Sequence, residues 1–201
     1  VLAGALDLLL VLIGVLLSSA TGYVLAAYHR DWALSVEAGM KYFLVGALAN
    51  TALALGATLM IGLLGGPGFG EMAAALQAGE ASPLLLVGLG LVTVGMAYKL
   101  GAVPAHAWLP DVAEGAPAPS AAFLTVVPKI GAAIALARLV SLFPETDFAI
   151  RALVAALAVI TMTLGNLAAL WQEDMRRMLG WSSVSQAGYL LMAVTVTSLT
   201  D

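Results

Sequence analysis

The sequence predicts an all-α fold, a polytopic transmembrane helical bundle of about six spans, and three observations carry that prediction. Of 201 residues, 62% are hydrophobic and only 10% charged, with a mean hydropathy of +1.01, against roughly 45–50% apolar and 25% charged in soluble domains. The apolar residues fall into runs long enough to cross a bilayer, which takes about 20 residues, with short polar breaks between them. Neither strand-like alternation nor a long internal repeat is present. In lipid each span must satisfy its own backbone, and a helix does so without a partner.

Taken in order, residues 2–27 are apolar apart from Asp7 and a Ser-Ser-Ala-Thr-Gly patch, and His29, Arg30 and Asp31 make the first polar break. Residues 33–64 form a second, longer span whose start, V-E-A-G-M-K-Y, places Glu37 and Lys41 on one face at the favourable i,i+4 spacing. Residues 65–83, rich in Gly, Pro, Ala and Glu, read as a surface loop with a short interfacial helix over 71–77. The third span, 84–103, carries Lys99. Pro104, Pro110, Pro117 and Pro119 then mark a kinked helix end, a short extension and a loop. The fourth span, 120–142, carries Lys129 near its middle, followed by spans at 149–171 and 178–199.

The net charge of −4 and the lack of a basic run exclude a nucleic-acid partner, and the lack of cysteine excludes a disulfide framework or a thiolate metal site. Residues 1–201 read as a single transmembrane domain. The chain opens on Val1 inside an apolar run, with no charged region ahead of a cleavage site, and reads as an internal piece of a longer protein. Arg30, Arg176 and Arg177 against Arg138 and Arg151 place the first and fifth connections on the cytoplasmic side by a margin of one charge.

Basic residues are sorted by type. All five arginines lie at or near span ends, and all three lysines, Lys41, Lys99 and Lys129, lie within apolar runs. A lysine at mid-membrane costs about 2.5–3.5 kcal/mol on insertion scales. A desolvated lysine can exchange its proton, whereas arginine effectively cannot, so the set suits a proton relay. Lys99 and Lys129 each lie near a proline, Pro104 and Pro128, and disturbed backbone at membrane depth is tolerated where it is buried in protein or lines a hydrated cavity. Bland accounts stand beside this one. Glu37 and Lys41 fit a structural ion pair or snorkelling, and Lys99 lies within reach of the interface. His106 fits a backbone cap, and Asp111 and Glu114 fit solvated or capping roles. Lys129 lies beyond the reach of snorkelling.

The segment K-L-G-A-V-P-A-H-A-W-L-P-D-V-A-E-G-A-P-A-P, then P-K-I and R-R-M-L-G-W-S-S-V-S-Q-A-G-Y, resembles the antiporter-like membrane subunits of respiratory complex I, and among them the N-subunit group. The resemblance covers nearly the whole chain, which would hold most of one inverted repeat and the start of the next. It implies that Lys99 matches the proton-exchanging lysine of a broken seventh helix and Lys129 the eighth-helix lysine that leads onward. Glu37, Lys41 and His106 match further proton-transfer positions. Two departures stand out: the fifth-helix glutamate expected to pair with the central lysine is Leu16 here, and the histidine usual in the S-S-x-x-H-x-G-Y stretch is Gln186.

By this resemblance the chain is a proton-translocating subunit of an NADH:quinone oxidoreductase, driven by quinone reduction elsewhere in the complex. It would sit multi-pass in the inner (plasma) membrane of a bacterium, ahead of a mitochondrial or chloroplast membrane. Its partners are other membrane-arm subunits, the lipid bilayer and protons. No redox centre or metal is expected in the chain itself; NADH, FMN, iron-sulfur clusters and quinone belong to partner subunits. The alternatives are a subunit of a multi-subunit cation/proton antiporter or membrane-bound hydrogenase, and a non-pumping structural subunit.

Overall fold

A computed structural model describes residues 1–79, 82–143 and 148–196. Among these the chain forms eight α-helices: α1 Leu8–Ala26, α2 Ala33–Leu64, α3 Phe69–Ala78, α4 Pro83–Leu100, α5 Trp108–Gly115, α6 Ala118–Ser141, α7 Phe148–Leu170 and α8 Met175–Val196, after a 3-10 turn at Leu2–Gly4. The described residues contain no strand beyond an isolated bridge between Asp7 and Gly68.

Five helices, α1, α2, α4, α6 and α7 from Ile150, are long and apolar enough to cross a membrane, against the six expected. The difference lies in α8. Its 22 residues extend about 33 Å, enough to cross, but Arg176, Arg177, Ser182, Ser183, Ser185 and Gln186 make it less apolar than the others. It packs along α7 and reaches α5 and α6. The last three residues of its expected range lie outside those described. Large side chains such as Leu48, Val24 and Val159 point outward, the arrangement a lipid surround favours.

Local chemistry sets the helix ends. Asp7 caps α1 by accepting from the Leu10 N–H at 2.6 Å. Ser82 caps α4, with Pro83 at the first helical position, where its missing N–H is not needed. The interfacial helix expected at 71–77 is α3. At 32 residues α2 is about 48 Å long, well over the ~30 Å hydrocarbon thickness, so its N-terminal turns, with Glu37 and Lys41, extend towards the boundary.

Close approach holds α2 against α4. A Cβ on Gly95 would lie 2.5 Å from the Leu53 Cβ, and one on Gly56 would lie 2.5 Å from the Gly88 carbonyl oxygen. Small residues allow this spacing where lipid gives helices no hydrophobic reason to associate.

The break after Lys99 is set by a glycine ahead of the proline. Helix α4 ends at Leu100, and Gly101 takes the left-handed conformation at φ +70°. The Ala102 N–H donates to the Ala97 carbonyl at 2.8 Å and the Gly101 N–H to the Tyr98 carbonyl at 3.0 Å, the pair of bonds that defines a Schellman cap. The third span thus stops three residues short of its expected end at 103. Pro104, placed by sequence at the kink, is an exposed residue of the connection. The segment beyond it is also more ordered than the expected extension and loop. Helix α5 buries Trp108, Leu109, Pro110, Val112 and Ala113. By contrast α6 runs unbroken through Pro128.

Candidate functional site

Lys99 sits in the last turn of α4 and is 1% exposed, covered by protein. The Schellman cap fixes that turn. The Trp108 indole N–H donates to the Tyr98 carbonyl at 3.1 Å, and the Val103 N–H donates to the Thr161 hydroxyl at 3.2 Å. The open backbone is therefore satisfied from α5 and α7, as a non-helical segment at this depth requires.

The Lys99 ammonium donates to the Ser19 hydroxyl of α1 at 3.1 Å and to the Tyr42 hydroxyl of α2 at 3.5 Å. It lies 6.0 Å from the Tyr42 ring centre and 5.7 Å from that of Tyr98, at the outer limit for attraction to a π face. Tyr42 stacks on Trp108 at 4.3 Å and meets Tyr23 edge-on at 5.0 Å. Among the described residues no carboxylate forms an ion pair with Lys99. Leu16, at the position of the expected partner, is 42% exposed on the outer face of α1, and Asp7 is occupied as the α1 cap.

Lys129 on α6 is 5% exposed. Its ammonium donates to the Ser183 carbonyl at 2.5 Å and the Ser183 hydroxyl at 2.6 Å, both on α8. Gln186 joins Lys129, Ser182 and Ser183 in lining a recess of about 390 Å³ between α6 and α8. Both deep lysines are thus held by neutral oxygens from neighbouring helices.

Glu37 and Lys41 belong to a different feature. Lys41 pairs with Glu37 at 2.7 Å and with Asp111 at 3.2 Å; Asp111 pairs with Arg177 at 2.5 Å, and Arg177 with Glu114 at 2.9 Å. This network joins α2, α5 and α8. Asp111 and Glu114, expected to be solvated or capping, are instead part of it, Asp111 at its centre with a side chain 13% exposed and Glu114 at one end. The Glu37 and Lys41 side chains are 57% and 44% exposed, so they stand at the rim of the bundle rather than beside Lys99. Arg176 adds a tie to α5 through the Ala116 carbonyl.

His106 lies in the connection between α4 and α5, its ring 5.6 Å from that of Trp181 on α8. Its Nδ1 and the Trp181 Nε1 are buried with no hydrogen-bond partner in good geometry among the described residues, while the imidazole lies against the Pro104 backbone, the kind of backbone contact expected of it. The structure therefore divides the five expected residues into a Lys99 pocket, a Lys129 pocket, a rim pair and a histidine against α8. Sequence reasoning passed over Ser19, Tyr42 and Ser183, which hold the lysines, and Arg177, which binds the rim. Their signal was weak: single hydroxyls in apolar runs, with nothing to say which helix each would face.

Similarity to known proteins has the same outline. The family described as "NADH:quinone oxidoreductase/Mrp antiporter, TM" matches residues 5–200. The NADH-quinone oxidoreductase subunit N of Mycobacterium sp. (strain JLS) is 49% identical over 203 residues, covering 100% of this chain and 42% of its own length. That of Maricaulis maris is 42% identical over 200 residues, covering 99% and 42%. A chain of respiratory complex I from Thermus thermophilus superposes with a TM-score of 0.81 at 37% identity, over 96% of this chain and 41% of that one. One from the Mrp complex of Dietzia sp. DQ12-45-1b gives 0.82 at 25% identity, over 94% and 35%. The chain spans less than half the length of the curated relatives it matches. With its membrane helices, its two buried lysines and a match over residues 5–200, it belongs to the NADH:quinone oxidoreductase/Mrp antiporter transmembrane family.

Proposed function

We propose that this chain is part of a proton-translocating N-type membrane subunit of an NADH:quinone oxidoreductase in a bacterial plasma membrane. Residues 1–201 form one transmembrane unit of that longer subunit. The observation that carries the reading is a pair of buried lysines, 1% and 5% exposed, whose partners are neutral oxygens. Such a group is costly to place in a membrane and able to release its proton. Lys99 and Lys129 load and pass protons, while Glu37, Lys41 and His106 serve transfer towards the surfaces. NADH, FMN, iron-sulfur clusters and quinone belong to partner subunits in this reading, and the chain has no cysteine to ligate a cluster. Other membrane-arm subunits then complete the path and couple it to quinone reduction.

The test is Lys99→Ala and Lys129→Ala in the full-length subunit within its assembled complex. Protons taken up per quinone reduced are expected to fall in both; unchanged pumping in both refutes the reading. A second reading, a subunit of a cation/proton antiporter, is favoured by the likeness to the Mrp complex chain at a TM-score of 0.82. Sodium-dependent transport without quinone reductase activity would decide for it.

A further inference from the structure

Among the described residues no carboxylate faces Lys99, the feature that ordinarily steadies a buried cation. What faces it is Ser19, Tyr42 and the ring of Tyr98, from α1, α2 and α4, each 0% exposed. We infer that Ser19 and Tyr42 are positioning residues for proton exchange at Lys99, forming a neutral hydroxyl clamp that holds the amino group in both of its protonation states.

The two hydroxyls have different parts. Ser19 donates its own proton to the Val15 carbonyl at 2.7 Å, so its lone pairs are directed at Lys99 Nζ, 3.1 Å away. It is a fixed acceptor for the ammonium. Tyr42 is held by its surroundings: Trp108 stacks on one side, Tyr23 meets it edge-on, and Gly22 leaves the space it occupies. A Cβ on Gly22 would lie 2.9 Å from Tyr42 Cε1 and 3.0 Å from its hydroxyl oxygen. A phenol both accepts and donates. When Nζ carries its proton, Tyr42 accepts from it; when the proton has left, Tyr42 turns its O–H onto the amine lone pair. No bond other than N–H is made or broken. An ionised carboxylate, acceptor only, would hold the charged form alone. Loading a proton here takes the pocket from neutral to +1, so the next carrier acts on an uncompensated charge rather than on one half of an ion pair.

This inference rests on the proton-translocating reading, and the experiment separates the two. In the full-length subunit of the assembled complex, Ser19→Ala, Ser19→Thr, Tyr42→Phe and Lys99→Ala are compared for complex yield, uncoupled quinone reduction and protons pumped per quinone. Ser19→Ala and Tyr42→Phe are expected to lose pumping towards the Lys99→Ala level while keeping uncoupled quinone reduction, and Ser19→Thr to retain it. A merely structural role would lower yield and quinone reduction together instead. Native stoichiometry in both hydroxyl variants, with Lys99→Ala defective, overturns the clamp and leaves the translocating reading in place. Native stoichiometry in Lys99→Ala overturns the clamp, and native stoichiometry in Lys129→Ala as well overturns the translocating reading with it. Should Ser19→Ala fail to assemble, the Tyr42→Phe result decides.

Discussion

Replacing Lys99 by methionine keeps the length and apolar body of the side chain and removes its charge. The expected result is a protein at least as stable as the native one that no longer transfers protons at this position. Lys99 is 1% exposed, and a lysine at such depth costs about 2.5–3.5 kcal/mol on insertion scales. Two hydrogen bonds are lost in exchange. Ser19 keeps its bond to the Val15 carbonyl at 2.7 Å and loses little. The Tyr42 hydroxyl, in a residue that is 0% exposed, keeps the Tyr98 hydroxyl beside it but loses Lys99, at a cost of up to about 1–3 kcal/mol. The balance favours the variant by roughly 0–2 kcal/mol. Thermal melting of the assembled complex, with proton uptake per quinone measured on the same sample, tests this. A destabilisation like that of a core cavity, about 3–5 kcal/mol, together with retained pumping, would show that Lys99 is a structural strut and refute the reasoning.

Two further outcomes arise from the packing and the rim. Gly95→Val forces a Cβ to within 2.5 Å of the Leu53 Cβ, prises α4 from α2, and lowers stability by about 1–3 kcal/mol, read as reduced yield of folded subunit and a lower melting temperature. Arg177→Ala releases Asp111 and Glu114, but Arg177 is 35% exposed and solvent screens its pairs, so about 1 kcal/mol is expected. The difference from the native protein should shrink as salt is raised, and a difference indifferent to salt would assign the loss to packing.

Much of the helix inventory was legible because lipid leaves little choice. Residues 33–64 read from hydropathy are α2 at both ends, and the fourth, fifth and sixth spans begin within about one turn of where they were expected. The break near Lys99 was legible as a break, though not in its cause. Proline is the stronger sequence signal, yet Gly101 ends the helix, because a left-handed residue closes the last carbonyls where a proline can only withhold a donor. Helix α5 was missed because Pro104, Pro110, Pro117 and Pro119 make its surroundings read as loop, while the burial of Trp108, Leu109 and Val112 that sustains it is tertiary.

By itself the sequence determined the class, the approximate spans and the three lysines set in apolar runs, since each follows from local composition; burial then separated Lys99 and Lys129 from Lys41, whose side chain is 44% exposed. Only the tertiary structure decided what each cation meets. Ser19 and Lys99 are 80 residues apart in the chain and 3.1 Å apart in space, and no periodicity in either segment encodes which face of α1 turns towards α4. The same holds for Asp111, an ordinary surface acid in sequence, which becomes the joint between α2 and α8 because α5 folds back between them.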